Sequence, residues 1–525
     1  MAIGVGSMMG FAAVAVNVRP QRRPAGRPGN GLCRPPVRRP ARQACRRALA
    51  WVSILLSLCG CAHIPSVPEP LAIDSGSQIQ VRGARGPLSP RATAALLSQL
   101  SAQAPDAGAL QRHLAIEQTV AGSPLYTGNR VTVLRDGADS FAAMFAAIQS
   151  ARQYLYLEYY IFEDVRFDGM QLADLLIARC RQGVHIDVIY DGIGSIDTPG
   201  ELFDRLLAAG IHVRQFNPIR TSPFSINQRD HRKILIADGQ TAIIGGVNLS
   251  VDYEQHGGSA SGGIASGGSG NGGKKPAISD TAAAAAPLAP PDQPLREAWH
   301  DTDLQIEGPA VRELKQLFEQ HWLAQGAPAD ELSGDVEALV ARGDQVVRVV
   351  GSTGGQLTPR YYATLISAIR SAASHIWITA AYFVPTLQEK RALARAARHG
   401  VDVRLLLPSH SDSGAALAAQ QSHYADLLEA GVRIYERGDG ILHSKIVVVD
   451  GVWSIVGSSN FDHRSVLFND EVDAVVISAA TGAQLERNFQ QDLQRAIDID
   501  LASWKRRPLS RKLREHFWRL WEQLL

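Results

Sequence analysis

Apolar and polar positions along this chain form two kinds of pattern, and the same order of patterns occurs twice. Apolar residues at helical spacing predict helices, and short uninterrupted apolar runs predict buried strands. From Phe141 to Phe216 the predicted order is helix, strand, helix, strand, helix, strand, and the order recurs from Tyr361 to Tyr435. Alternating strands and helices predict an α/β fold, and the matching order indicates an internal duplication.

The predicted elements have the following approximate bounds. Strands are expected at 154–162, 184–190 and 213–216 in the first round and at 376–383, 401–407 and 432–435 in the second. Helices are expected at 141–150, 172–181, 200–209, 310–325, 389–399 and 415–430. We therefore expect two tandem α/β units with mixed or mainly parallel sheets flanked by helices.

Each round ends in the same motif, H-x-K-x4-D-G, followed after five residues by G-x-x-N. The shared residues are His231, Lys233, Asp238 and Asn248 in the first copy and His443, Lys445, Asp450 and Asn460 in the second. Side chains alternate between the two faces of a strand, so the His and Lys of each copy point the same way. The Asp has the opposite parity and stands in an Asp-Gly turn. Spacing alone therefore predicts that Asp238 and Asp450 are turn and scaffold residues.

A carboxylate enters a predicted strand downstream of each motif, Asp301 in the first half and Glu471 in the second. Such an acid can bond the second ring nitrogen of a histidine and fix its tautomer. Two histidines suit phosphoryl transfer, since one imidazole can attack phosphorus while the other protonates the leaving alkoxide. The lysines and asparagines would supply positive charge and hydrogen-bond donors to the phosphoryl oxygens. This set requires no metal ion and no cofactor.

With these motifs the chain resembles the phospholipase D superfamily, and within it the bacterial cardiolipin synthases. The resemblance runs from about Leu125 to the C-terminus and includes the runs 154–162, 229–233 and 381–385. It implies two phospholipase D-like domains related by pseudo-two-fold symmetry, a site at their interface and a phosphohistidine intermediate. It further implies that His231 is the nucleophile and His443 the general acid, and the family signature adds Asp238 and Asp450 to the catalytic set.

The reaction that this resemblance implies is phosphatidyl transfer from phosphatidylglycerol to a second phospholipid, giving cardiolipin. Anionic phospholipids and a membrane surface are then the expected partners. One alternative is hydrolysis of phospholipids or other phosphodiesters, including nucleic acids. A nucleic-acid partner is not expected, because the chain after the Arg-rich residues 19–47 has no broad basic excess. A second alternative is a non-catalytic, lipid-binding envelope lipoprotein.

The N-terminal pattern is typical of an exported lipoprotein. Arginines precede the apolar run 48–58, which is too short to span a bilayer and ends in Leu58-Cys59-Gly60-Cys61. This ending resembles a bacterial lipobox and predicts a lipid on Cys61, in a bacterial cell-envelope protein facing the periplasm. An uncleaved apolar anchor is the alternative.

Composition divides the rest of the chain. The stretch 257–294 is rich in Gly, Ser and Ala and predicts a disordered insertion. Near the end, Leu, Phe and Trp recur at helical spacing beside Lys and Arg, which fits either an anionic membrane surface or a helix packed on the domain. The predicted segments are a leader (1–61), a tether with an N-terminal helix (62–124), two phospholipase D-like domains (125–330 and 331–500) and a basic amphipathic C-terminal helix (501–525).

Overall fold

The computed structural model describes residues 64, 66–68, 79–218, 227–254, 299–332, 338–356 and 359–524. The proposed insertion at 257–294 and the proposed lipidation residue Cys61 lie outside these ranges. Within them, two halves each contribute seven strands in the same chain order to one continuous sheet. The first-half strands are Leu125–Arg135, Tyr154–Tyr159, His185–Asp191, His212–Phe216, Lys233–Ala237, Thr241–Gly245 and Thr302–Glu307. The second-half strands are Gln345–Ser352, His375–Ala380, Asp402–Pro408, Arg433–Arg437, Lys445–Val449, Trp453–Gly457 and Glu471–Ile477.

Helices cover the sheet in both halves. Those of the first half are Asp136–Ser150, Leu172–Arg181, Gly200–Ala208 and Val311–Ala324. Those of the second half are Arg360–Ser371, Leu387–Arg398, Gly414–Ser422, Tyr424–Glu429, His463–Leu467 and Ala479–Leu493. Shorter strands lie at Arg166–Phe167, Met170–Gln171, Trp299–His300, Ile441–Leu442 and Ala496–Asp498, and 3-10 turns at Val251–Tyr253 and Ala329–Glu331. The helix expected over 415–430 is divided in two at His423.

The sheet is mixed, which confirms the predicted fold class. In the first half, His185–Asp191 lies parallel to both Tyr154–Tyr159 and His212–Phe216, as helical crossover connections require. The motif strand Lys233–Ala237 instead forms an antiparallel hairpin with Thr241–Gly245. The second half has the same arrangement. The three strands before each motif are thus parallel to one another, whereas the Asp-Gly turn after each motif folds the chain back into an antiparallel pair.

Both faces of the motif strand are buried, which accounts for its uninterrupted apolar run. Leu235 packs in the core beneath the first-half helices. Ile234 and Ile236 point to the other face and pack in a core that includes Val448 and Val456 of the second half. This second core is shared by the two halves and holds the two motif strands in a fixed relation.

The strands that join the halves were not predicted. Leu125–Arg135 pairs antiparallel with Gln345–Ser352 and so joins the strands of the two halves into one sheet. Polar residues interrupt the apolar pattern of both strands, and they are buried with partners. Asn129 donates to the carbonyl oxygens of Tyr126 and Gln345, and the Arg348 guanidinium lies 3.3 Å from the Glu117 carboxylate. Buried, paired polar groups of this kind conceal a central strand from hydrophobic patterning.

The segment expected to be a tether contains ordered structure. Val81–Gly83 is a strand that pairs parallel to Leu125–Arg135, and Val67 is buried in the second-half core. The helix expected next spans Pro90–Ser101, with the Ser89 side chain accepting from the N–H of Ala92. A further helix spans Ala107–Val120. Residues 79–120 are therefore part of the domain, because their apolar side chains cover the second-half sheet.

The two motif aspartates lie in the scaffold positions that their parity predicts. Both have left-handed backbone conformations, with φ of 50° at Asp238 and 55° at Asp450. The Asp238 carboxylate accepts hydrogen bonds of 2.8, 2.8 and 3.0 Å from the N–H groups of Arg152, Gln153 and Tyr154. The Asp450 carboxylate accepts bonds of 2.9, 2.7 and 3.0 Å from the N–H groups of Ala373, Ser374 and His375. Each aspartate fixes the start of the neighbouring strand to the turn of its motif hairpin.

Asp238→Ala is expected to lower the free energy of unfolding by about 2–4 kcal/mol, because three N–H groups lose a charged acceptor. Activity per folded molecule should change far less than in His231→Ala. Denaturant unfolding and kinetics on the same preparation measure both quantities. Asp238→Asn keeps one acceptor oxygen and tolerates a positive φ, so it should lose about half as much stability. Wild-type stability with lost activity in Asp238→Ala would contradict the scaffold role.

Candidate active site

The two motif histidines lie where the two halves meet. The backbone of each histidine is hydrogen-bonded to the backbone of the opposite half. The N–H of His231 donates to the carbonyl oxygen of Asp470 at 2.9 Å, and the N–H of His443 donates to that of His300 at 2.7 Å. Each acceptor directly precedes the carboxylate residue of the opposite half. The backbone therefore sets each histidine beside a carboxylate that its own half does not supply.

The side chains repeat this exchange. His231 Nδ1 lies 3.0 Å from Glu471 Oε2, and His443 Nδ1 lies 2.6 Å from Asp301 Oδ2. Carboxylate–histidine contacts were predicted, but the spacing did not show that each acid pairs with the histidine of the other half. Because an ionised carboxylate only accepts, Nδ1 carries the proton in both pairs and Nε2 is the nitrogen left for chemistry.

The lysines lie beside the histidines, and the asparagines line the space between the halves. Lys233 Nζ donates to the His231 carbonyl oxygen at 2.7 Å, and Lys445 Nζ lies 2.8 Å from His443 Nδ1 and 3.1 Å from its Nε2. Asn248 Oδ1 accepts from the N–H of Ile161 at 3.2 Å, which leaves the amide N–H groups of Asn248 as donors. Both histidines and both asparagines, including Asn460, line one open cavity of about 370 Å³. Of the ten predicted site residues in the described chain, the two histidines and two asparagines line the cavity, the two lysines and two carboxylates lie beside the histidines, and the two aspartates lie in the scaffold turns.

Two hydroxyl groups that the sequence reasoning missed support the carboxylates. Tyr253 Oη donates to Asp301 Oδ2 at 3.0 Å and lies 3.0 Å from His443 Nδ1. Ser465 Oγ donates to Glu471 Oε1 at 2.7 Å. Each residue follows the asparagine of its own motif by five positions, so the repeat itself carried a usable signal.

Two further cavity residues were also missed. The Tyr160 ring packs edge-on against the His231 ring, with 5.3 Å between the ring centres. Lys233 Nζ lies 5.4 Å from the centre of the Tyr160 ring. Arg229 Nη1 lies 3.2 Å from Asp191 Oδ1, so the guanidinium is held at the cavity wall. Tyr160 directly follows the strand Tyr154–Tyr159, and Arg229 lies in the loop before the strand Lys233–Ala237. Apolar patterning carries no information about which polar residue at such positions faces a cavity.

The two halves differ around their carboxylates. A Cβ on Gly246 would lie 2.1 Å from Asp301 Oδ1, so only glycine leaves room for that carboxylate. At the matching position Ser458 donates to Glu471 Oε2 at 2.5 Å. Glu471 also accepts from Asn469 at 3.2 Å. The longer acid thus lies within a denser set of donors than the shorter one.

Burial governs the charges at the site. It lowers the pKa of His231 to about 4, although Glu471 acts to raise it, and it lowers the pKa of His443 with a further contribution from Lys445. Burial alone would raise the pKa of Glu471, but His231 and Lys233 bring it below its ordinary value. Near neutral pH the result is a neutral imidazole beside an ionised acid, which leaves a lone pair on Nε2 of His231.

The lysines are coupled to each other. Burial, together with the positive charge of Lys445, lowers the pKa of Lys233 to about 7. Burial also lowers the pKa of Lys445, and Asp301 and Glu471 oppose that shift. Two buried lysines beside the histidines can therefore supply positive charge to an anionic phosphate group.

Two other clusters in the described ranges have spacing that suits a metal ion. They are His185, Asp187 and His212 on two neighbouring strands, and the fully buried group Glu158, Asp230 and His321. In the second cluster Arg232 already lies 3.2 Å from Glu158, so a cation balances that carboxylate. Neither cluster includes a motif histidine or lysine, and the phosphoryl chemistry described above uses neither.

Comparison with known proteins agrees with this geometry. A family model described as "Cardiolipin synthase, PLD-like domain" matches residues 144–255 and 365–493, one match in each half. The cardiolipin synthase of Geobacillus kaustophilus is 33% identical over 430 residues, which is 78% of this chain and 76% of that protein. The cardiolipin synthase of Alkalihalophilus pseudofirmus is 32% identical over 77% of this chain and 74% of that protein.

A solved structure shares the fold. The phosphatidylserine synthase of Haemophilus influenzae covers 79% of this chain and 99% of its own with a TM-score of 0.56, at 12% sequence identity. At that identity the similarity extends to the fold alone.

The pH dependence of kcat/KM should show two limbs set by burial. As pH falls through about 4, His231 gains a proton on Nε2 and can no longer attack phosphorus. As pH rises through about 7, Lys233 loses the charge that stabilises the phosphoryl oxygens. A soluble aryl phosphodiester is the appropriate substrate, since its leaving group needs no proton. Lys233→Arg stays charged, so its remaining activity should lose the basic limb. A wild-type basic limb near the ordinary lysine pKa would contradict this assignment.

Proposed function

The chain belongs to the cardiolipin synthase family of phospholipase D-like enzymes, and we propose that it makes cardiolipin from phosphatidylglycerol. As a phospholipase D-type phosphatidyltransferase, it would move the phosphatidyl group of one phosphatidylglycerol to the glycerol hydroxyl of a second phospholipid and release glycerol. The observation that carries this proposal is the pair of exchanged histidine–carboxylate contacts opening on one cavity beside two buried lysines.

In the first step His231 Nε2 attacks the phosphorus atom and the bond from phosphorus to the glycerol oxygen breaks. With the anionic substrate bound, His443 carries a proton on Nε2 as well as on Nδ1, and it gives the Nε2 proton to that oxygen, so glycerol leaves as a neutral alcohol. The Glu471 carboxylate stabilises the positive charge that develops on the His231 ring. Lys233 and Lys445 offset the negative charge on the phosphoryl oxygens, with the Asn248 and Asn460 amides as further donors.

In the second step the glycerol hydroxyl of the incoming lipid gives its proton to His443 Nε2. Its oxygen then attacks phosphorus, the phosphorus–nitrogen bond to His231 breaks, and the enzyme returns to its initial state. The assignment of His231 as the nucleophile follows the resemblance to the superfamily, in which the N-terminal motif usually attacks. Asp301 and Tyr253 keep Nδ1 of His443 protonated in both steps, so that proton exchange occurs at Nε2.

Hydrolysis is the nearest alternative, because water can replace the incoming hydroxyl. The relatives named above favour transfer, since both carry the name cardiolipin synthase. Nuclease activity is disfavoured by the near-neutral net charge of +2. A purely lipid-binding role is disfavoured because every histidine, lysine and carboxylate of both motif sets is present at the cavity or beside it.

We further propose that the mature protein is a lipid-anchored envelope protein facing the periplasm. The support is the sequence Leu58-Cys59-Gly60-Cys61 after an apolar run. Among the described residues, none of the helices is both long and apolar enough to cross a bilayer.

Incubating the purified protein with phosphatidylglycerol vesicles should yield cardiolipin and free glycerol, measured by mass spectrometry of the lipids and an enzymatic glycerol assay. Phosphatidic acid as the main product would identify a hydrolase. Unchanged lipid would support the binding role. His231→Ala, purified in the same way, is the control and should give neither product above about 1% of the wild-type rate, since general acid–base and nucleophilic groups each contribute ~10²-fold or more.

The two histidines should separate on an aryl phosphodiester, whose leaving group needs little protonation. His443→Ala should release a burst of phenolate and accumulate an acid-labile phosphoenzyme at His231, because breakdown of the intermediate lacks its base. His231→Ala should show neither burst nor adduct. Stopped-flow absorbance and peptide mass spectrometry detect the two signals. The opposite pattern would assign attack to His443.

Cys61→Ser should shift the protein away from the covalently lipidated, detergent-phase fraction of cells, because a thioether-linked lipid needs the cysteine sulfur. Metabolic labelling with a fatty-acid analogue should mark the wild type and leave the variant unlabelled. Equal labelling of both proteins would show that Cys61 is not the lipidation site.

A further inference from the structure

The last described residues form a segment that packs on the second half with one face only. It consists of helices Leu501–Arg506 and Leu509–Arg519 and the 3-10 turn Glu522–Leu524. Trp504 is buried against the Tyr424 ring at 4.8 Å. Glu515 is fully buried and accepts from Arg507 Nε at 3.0 Å. These two contacts fix which side of the segment faces the protein.

The opposite face carries a row of exposed apolar side chains. Leu509, Leu513, Phe517 and Leu520 are 70, 63, 53 and 80% exposed, respectively. Their spacing of four, four and three residues places them on one side of a helix, roughly 120–160° from Glu515 at about 100° per residue. We call these four residues the apolar row. A contiguous row of this kind on a soluble surface marks an interaction site.

The charges beside the apolar row are basic. Lys512 and Arg519 lie on one side of it and Arg514 on the other, by the same helical geometry. The only acid within Leu509–Arg519 is Glu515, which is buried and paired. An apolar row bordered by cations fits the surface of an anionic bilayer, where apolar side chains enter the acyl boundary and the cations meet phosphate groups.

The same segment touches two walls of the active-site cavity. Arg511 Nη2 donates to Gln421 Oε1 at 3.4 Å, on the helix Gly414–Ser422 that contributes Ala416 to the cavity wall. Glu522 Oε2 lies 3.2 Å from Nε2 of the buried His423, immediately after that helix.

The final turn reaches the other wall. Glu522–Leu524 packs against the helix His463–Leu467, whose Arg464 lines the cavity. The segment therefore contacts two helices that each contribute a residue to the cavity lining.

We propose that residues 501–524 dock on an anionic bilayer through the apolar row and hold the cavity beside the phospholipid headgroups. The docking itself stands on the exposed row and its charges, whereas its effect on catalysis rests on the proposed function. Docking would bring lipid substrates to the cavity from the bilayer and would not alter the chemistry on a soluble phosphodiester.

The test compares Leu513→Ser/Phe517→Ser with a matched control, both in the full-length Cys61→Ser chain so that lipidation does not contribute. Leu207→Ser is the control, because Leu207 is 52% exposed on a first-half helix and Phe517 is 53% exposed. Binding is measured by flotation with vesicles of phosphatidylglycerol and phosphatidylcholine, and with phosphatidylcholine alone. The double variant should bind anionic vesicles roughly 10-fold more weakly, since two large apolar side chains no longer enter the bilayer. The control should bind like its parent.

Kinetics separate docking from catalysis. The double variant should lose a similar factor in rate on phosphatidylglycerol vesicles and keep its rate on a soluble aryl phosphodiester. If no substrate reacts but vesicle binding still falls, the docking proposal stands and the proposed function fails. Unchanged vesicle binding in the double variant overturns the docking proposal. A second result would also overturn the docking proposal: the parent is a dimer by light scattering, and the double variant loses the dimer without any change in vesicle binding. A second copy of the chain would then cover the apolar row.

Discussion

The site depends on one exchange: each histidine is held by the backbone and the carboxylate of the opposite half. His231 is bound to Glu471 and His443 to Asp301, so neither half contains a complete pair. The exchange works only if the halves keep a fixed distance and angle. The joining strands Leu125–Arg135 and Gln345–Ser352 and the shared core around Ile234 supply that rigidity. A duplicated fold thus becomes a single unit, since a half on its own would leave its carboxylate without a histidine partner.

How much of this could be predicted follows from what spacing encodes. Parity along a strand placed His231 and Lys233 together and Asp238 apart from them, because alternation of side chains is a local property. The order of strands and helices, and hence the mixed α/β class, was also local. Pairing between the halves is not a local property. Asp301 and Glu471 stand at equivalent positions after their motifs, and neither spacing shows which histidine the carboxylate contacts. The joining strands were missed for a different reason, because Asn129 and Arg348 interrupt their apolar pattern. These polar side chains can lie in central strands of the sheet only because each has a buried hydrogen-bond or ion-pair partner.

The symmetry of the site is incomplete in a way that suits two different roles. Around Asp301 the shorter acid approaches Gly246, and Tyr253 reaches both the acid and His443. Around Glu471 the longer acid meets Ser458 and Ser465. Each side keeps its carboxylate ionised and oriented, with different donors compensating for a difference of one methylene in the acid. The two motifs have the same backbone arrangement but different neighbouring side chains, so the two imidazoles can differ in basicity. A nucleophile and a general acid require such a difference.

Charge balance connects binding to this division of roles. The carboxylates of Glu471 and Asp301 offset the positive charge of Lys233 and Lys445, and burial lowers the pKa of both imidazoles so that they are neutral near pH 7. A phosphodiester adds one negative charge to this nearly neutral, buried set. Its field favours the charged form of every nearby base, so it raises the lysine pKa values and favours a proton on His443 Nε2. His231 is under the same field, but a phosphorus atom against its Nε2 leaves no space for a proton there. In the proposed mechanism the substrate therefore helps to create the acid that its own leaving group needs, while His231 stays free to attack.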